Sequence, residues 1–96
     1  MNFEWDEAKA RSNLAKHGVS FEFARRVWDD PFYSLIDQIE DGEERWLAIG
    51  IVGGTTILAV VHVYRGDEDN QIVRIISARK ATPRERRRYE RQTFQS

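Results

Sequence analysis

Arg74, Arg79 and Lys80 stand within one short stretch, and Glu85 and Tyr89 follow it four residues apart, the spacing of neighbours on a helix. His62 and Arg65 precede them, and Lys16 and His17 lie near the start of the chain. Together they are cations, proton carriers and one carboxylate. That set would suit metal-free cleavage of RNA. The reaction needs a base for the ribose 2′-OH, cations to hold the phosphate as charge builds, and an acid for the leaving oxygen. Arg fits the middle role because its planar fork grips two phosphate oxygens at once.

Other chemistries find less support. There is no cysteine, which excludes disulfides, thiolate metal sites and cysteine nucleophiles. The two histidines fall on different elements with no carboxylate at helical ligand spacing, so no metal site is expected. Asp67-Glu68-Asp69-Asn70 lacks the glycine and the terminal glutamate of a calcium loop. Neither a glycine-rich phosphate loop nor a Ser–His–Asp arrangement can be assembled, and no cofactor is called for.

Each candidate also has a structural reading. His62 shares a strand face with Leu58, Val60 and Tyr64, where a lone histidine is commonly a hydrogen-bonded core residue. Lys16 and His17 end a helix, where a cation suits the dipole. Glu85 completes a capping box with Thr82, and Tyr89 on the same side could pack inward or present its hydroxyl. Arg74 within a strand needs a carboxylate or a phosphate as partner. Strict alternation sends Arg74 and Arg79 to opposite faces unless a bulge intervenes.

The elements that must position these residues read as β-α-α-β-β-β-β-α, an α+β domain spanning 1–96 with an antiparallel meander covered by helices. Phe3–Trp5 is a short edge strand. Asp6 caps a helix over Glu7–His17, with Ala10, Leu14 and His17 on its stripe, and Gly18 ends it. Ser20 caps a second helix through Phe21, Phe23, Ala24, Val27 and Trp28, which Asp29-Asp30-Pro31 ends. Strands follow over Phe32–Ile39, Arg45–Val52, Thr55–Tyr64 and Gln71–Ala78, with turns at Asp41-Gly42 and a two-residue hairpin at Gly53-Gly54. The third is the most apolar of these and is expected at the centre. Thr82 and Pro83 open a last helix that runs to about Thr93. Trp28, Phe32 and Phe94 are candidates for a partner interface.

Net charge is −1, but it is unevenly spread. Arg74–Arg91 holds eight Lys or Arg against two Glu, while Asp29–Glu44 holds seven acids and no base. A phosphate-seeking end and an acidic middle follow. No secretory signal opens the chain, and the longest apolar run, Ile57–Val61, is too short to span a bilayer, so a cytoplasmic protein is expected.

Two separate stretches resemble one family. Phe3-Glu4-Trp5-Asp6, Lys9, Asn13, Lys16-His17-Gly18-Val19 and Phe21 resemble the opening signature of BrnT-type toxins. Arg74-Ile75-Ile76-Ser77-Ala78-Arg79-Lys80-Ala81, with Glu85 and Tyr89, resembles that family's second signature. The resemblance implies a RelE-like fold and a ribonuclease toxin of a bacterial type II toxin–antitoxin system, which inhibits translation and growth. It implies neutralisation by a BrnA-like antitoxin, complexes of two toxins with two antitoxins, and promoter DNA contacted only through the antitoxin. By position it implies Arg79, Glu85, Tyr89 and His62 as catalytic candidates, with Lys16, His17, Arg65, Arg74 and Lys80 contacting RNA. The competing reading is a noncatalytic module whose basic C-terminal helix binds a partner protein or nucleic acid.

Overall fold

The computed structural model describes residues 1–40 and 42–94, with Glu40 and Phe94 given by their backbone alone. Local chemistry sets the helix boundaries. The Asp6 carboxylate accepts the Lys9 N–H at 3.0 Å and starts α1 (Glu7–His17). Gly18 ends it in the left-handed region at φ 71°, its N–H donating to the Leu14 carbonyl. Ser20 caps α2 (Phe21–Ala24) through the Phe23 N–H. The expected second helix is only one α turn long. Arg25–Asp29 continues it as a tighter 3-10 segment, because Pro31 forbids an extended α-helix there.

Five strands form one sheet: β1 (Asn2–Glu4), β2 (Ser34–Glu40), β3 (Glu43–Val52), β4 (Thr56–Arg65) and β5 (Ile72–Lys80), in the spatial order β1-β5-β4-β3-β2. Strands β2 to β5 are the expected antiparallel meander, and β4 is central. The edge strand β1 adds itself to β5 in parallel, pairing Asn2 with Ile72 and Glu4 with Arg74, so the sheet is mixed. Gly42 turns β2 into β3; the other half of that turn, Asp41, lies outside the described residues. The hairpin between β3 and β4 is one residue longer than the two expected, since Val52 pairs with Thr56. Gly53 and Gly54 take φ values of 68° and 82°, which explains glycine at both places.

Helices cover both faces. On the first, α1, α2 and the 3-10 segment bring Val19, Phe21, Ala24 and Val27 onto Ala48, Leu58, Val60, Val73, Ile75 and Ala78. On the second, α3 (Pro83–Phe94) lays Tyr89, with Ala81 just before it, against Leu47, Ile49 and Ala59. Burial on both sides explains the unbroken apolar run in β4. On α1, Leu14 is half exposed, and Asn13 is the buried residue instead.

Two buried polar side chains finish the sheet where its outer strands stop short. Asn13 meets the free margin of β5: its Nδ2 donates to the Ala78 carbonyl at 2.8 Å and its Oδ1 accepts the Ala78 N–H at 3.1 Å. The amide thus replaces a neighbouring strand. At the other edge Asp30 accepts the Ile51 N–H at 2.9 Å, beyond the last β2–β3 pair. Gly50 allows that approach, because a Cβ there would lie 2.8 Å from Val27 Cγ1 and 3.3 Å from Asp30 Oδ2.

Candidate active site

The geometry of the site begins with an irregularity in β5. Val61 faces Ser77, but the next β4 residue, His62, faces Ile75. Ile76 is the extra residue of a β-bulge. Alternation therefore reverses across it: Val73, Ile75 and Ala78 share the first face, and Arg74, Ser77 and Arg79 share the second. The opposite-face expectation for Arg74 and Arg79 is corrected by this bulge. Arg65, across from Ile72 at the end of β4, joins them on the second face.

Arg79 is held by α3. Its Nη1 donates to Glu85 Oε1 at 2.7 Å and its Nη2 to Oε2 at 3.1 Å, a two-pronged pair. The predicted capping box is formed as well: Glu85 N–H donates to Thr82 Oγ1 at 3.2 Å, and Thr82 N–H to Glu85 Oε1 at 2.9 Å. The Arg79 hydrogen bonds hold the Glu85 carboxyl below its ordinary range, and the same bonds raise the Arg79 guanidinium. Farther along the face, Glu4 Oε2 accepts from Arg74 Nη1 at 2.6 Å and from Arg65 Nη1 at 3.1 Å. One carboxylate serves two guanidinium groups, so positive charge remains in excess.

Beside Ser77, α1 supplies the margin of this face. Lys9, Ser12, Lys16 and His17 line a groove of about 230 Å³ with Ile76 and Ser77. A second groove of about 500 Å³ continues from Lys9 and Ile76 to Arg65 and Arg74, and Glu43, Glu44 and Arg45 line it too. Four of the candidates, Lys16, His17, Arg65 and Arg74, thus line two grooves that share Lys9 and Ile76, and Arg79 stands on the face of Arg74, paired with Glu85.

Three candidates stand elsewhere or are otherwise engaged. Tyr89 is buried, its hydroxyl donating to Asp30 Oδ2 at 2.5 Å. Burial, then that bond, pushes its phenol up to about 12. It clamps α3 to the edge of β3. His62 lies on the first face, fully buried between Trp28 and Tyr64, with ring centroids 4.8 and 5.0 Å away. Its Nδ1–H donates to the Val60 carbonyl at 3.1 Å, and burial lowers its pKa. The sheet separates it from Arg79. Lys80 is exposed in a different pocket, with Arg86 and Glu90. Among the partner-interface candidates, Trp28 is partly buried against the core, Phe32 is exposed, and the Phe94 side chain lies outside the described residues.

Sequence reasoning missed the roles of Asn13 and Asp30. Asn13 carried a signal, since asparagine is unfavourable inside a helix unless it bonds elsewhere. Asp30 carried one too: Asp-Pro favours a turn, and the Phe32 N–H donates to Asp30 Oδ1 at 2.9 Å. Among the described residues, no group of three or more His, Asp or Glu side chains gathers where it could hold a metal ion. No described helix is long and apolar enough to cross a membrane.

Comparisons with known proteins agree with this architecture. Residues 5–85 match the family model described as the ribonuclease toxin BrnT of type II toxin–antitoxin systems. The chain is similar to the crystal structure of the Brucella abortus ribonuclease toxin BrnT, with 31% identity and a TM-score of 0.67, over 85% of this chain and 97% of that one. Among curated proteins, none matches the chain significantly. The match over most of its length, the mixed sheet and its helices agree: this chain belongs to the BrnT family of ribonuclease toxins of type II toxin–antitoxin systems.

Proposed function

We propose that this toxin cleaves RNA without a metal, on the sheet face that carries Arg74, Ser77 and Arg79. The observation that supports the reading is the bulge at Ile76, which puts both arginines on one face with Ser77, a residue that lines the Lys16–His17 groove. In this reading the ribose 2′-OH gives up its proton and its oxygen bonds to the adjacent phosphorus. The bond to the 5′-oxygen breaks, that oxygen is protonated, and a 2′,3′-cyclic phosphate and a 5′-hydroxyl remain. Arg79 holds the phosphate oxygens as negative charge builds. Glu85 fixes the plane of the Arg79 fork; its lowered pKa makes it a weak base. Imidazole is the side chain suited to proton exchange near neutrality. His17 lies at the groove whereas His62 is buried on the other face, so His17 takes the 2′ proton. Arg65, Arg74 and Lys16 bind the flanking backbone.

The closed Arg79–Glu85 pair is the observation that favours the alternative, a module that binds without chemistry. Family membership weighs against it. In the same reading the toxin works in the cytoplasm, and a BrnA-like antitoxin neutralises it in a complex of two toxins and two antitoxins. That complex reaches promoter DNA only through the antitoxin.

The test is cleavage of a defined RNA by purified toxin in excess EDTA, with analysis of the new ends. Cyclic phosphate ends, activity lost in His17→Ala and partly restored by added imidazole, are the expected result. Loss of cleavage in EDTA with recovery on adding a divalent metal contradicts the metal-free reading.

A further inference from the structure

The helical layer on the first sheet face stops before the sheet does. It packs on β5, β4 and β3, and the far strip of that face stays open. Cross-strand register identifies the strip: Leu35, Asp37 and Ile39 of β2 stand beside Ala48, Trp46 and Glu44 of β3. Leu35 is 41% and Ile39 77% exposed, and Phe32, just ahead of β2, is 56% exposed. These large apolar residues cluster within eight positions of one edge strand, whereas scattered ones would need no explanation. Asp37 and Glu44 on the same strip are also exposed. The strip therefore combines apolar side chains with negative charge; Leu35 and Asp37 lie on the face opposite Arg74 and Arg79, and Glu44 at its end also lines the groove of Arg65 and Arg74.

We infer that the antitoxin docks on this strip through a basic amphipathic helix, placing its apolar side on Leu35, Ile39 and Trp46 and its cations against Asp37 and Glu44. The inference rests on the toxin reading, since the family supplies the protein partner. A helix fits because it would extend the layer that α1, α2 and the 3-10 segment leave unfinished, and because the apolar side chains project from the face of β2. The acids select a cationic partner, and they disfavour a second copy of this strip, which would bring like charges together.

The test uses the full toxin and the antitoxin encoded with it, with affinity measured by calorimetry. Two variants are compared with the unmodified toxin: the double Leu35→Ser with Ile39→Ser, and the single Asp37→Lys. All three sites are exposed, and a thermal melt checks that each variant folds. The expected result is a rise in Kd of at least tenfold for each, with RNA cleavage by the free toxin unchanged. Kd values within twofold of the unmodified toxin for both variants overturn the inference. So does self-association of the toxin alone in sedimentation that the serine variant abolishes. Failure of the unmodified toxin to cleave RNA counts against the ribonuclease mechanism, and the binding readout still judges the docking site.

Discussion

Arg74 and Arg79 project from the same face of β5 because Ile76 is an extra residue between them. The two arginines have different partners: Arg74 shares Glu4 with Arg65, and Arg79 has a two-pronged pair with Glu85. Their losses should therefore differ in kind. Arg74→Ala should raise KM for RNA several-fold and flatten its salt dependence, with kcat little changed, because a flanking phosphate contact contributes binding to ground and transition states alike. Steady-state kinetics at two salt concentrations checks this. A large fall in kcat alone contradicts the flanking role.

Tyr89→Phe separates structure from chemistry at the second family signature. Removing the hydroxyl leaves a buried Asp30 oxygen short of one donor, at a cost of about 1–3 kcal/mol. The raised phenol pKa adds a pH signature. An ordinary tyrosine titrates near pH 10. Between about pH 10 and about 12 the unfolded chain binds fewer protons than the folded one, so stability falls as pH rises through that window. Urea titrations should show this loss in the parent and not in Tyr89→Phe, while cleavage by the folded variant stays near the parent rate.

His62 should make the protein acid-sensitive. Its folded pKa lies below the ordinary value because burial disfavours the imidazolium. Below about pH 6.5 the unfolded chain binds the extra proton, so stability falls as pH drops and is fully present above that value. A urea midpoint series from pH 8 to pH 5 should lose this slope in His62→Phe. An unchanged slope in that variant would assign the effect to other groups.

Asn13→Leu keeps volume but withdraws both bonds to Ala78. The buried Ala78 N–H and C=O then lack partners, and a destabilisation of about 2–6 kcal/mol follows, at about 1–3 kcal/mol for each orphaned group, with the bond to the Val19 carbonyl lost as well. Hydrogen exchange should show the loss first at the Ala78 amide. Uniform loss of protection across the sheet would contradict a local edge-sealing role.

Much of this fold was legible because its signals are local. Asp6 and Ser20 as caps, Gly18 as a stop, the Thr82–Glu85 capping box and the central β4 all depend on residues close in sequence or on continuous apolar runs. The bulge was not legible. Ile75 and Ile76 are equally β-branched, and which one goes unpaired depends on how β4 lies alongside. The parallel pairing of β1 was hidden for the same reason, since it joins residues 70 positions apart. The site was half legible: residue types pointed to a phosphate, but whether His62 and Tyr89 faced substrate or core was a tertiary matter. Burial and the Asp30 bond turn both inward.

The most direct measurement is single-turnover cleavage of one RNA by the parent, Arg79→Lys and Arg79→Ala, each checked for folding. If Arg79 stabilises the charge that builds on the phosphate, Arg79→Ala should lose about 10²–10³-fold in rate, the scale for removing one transition-state donor. Arg79→Lys should fall between, keeping charge without the two-pronged fork. Parent-like rates in a folded Arg79→Ala would contradict the account and move the chemistry off this face.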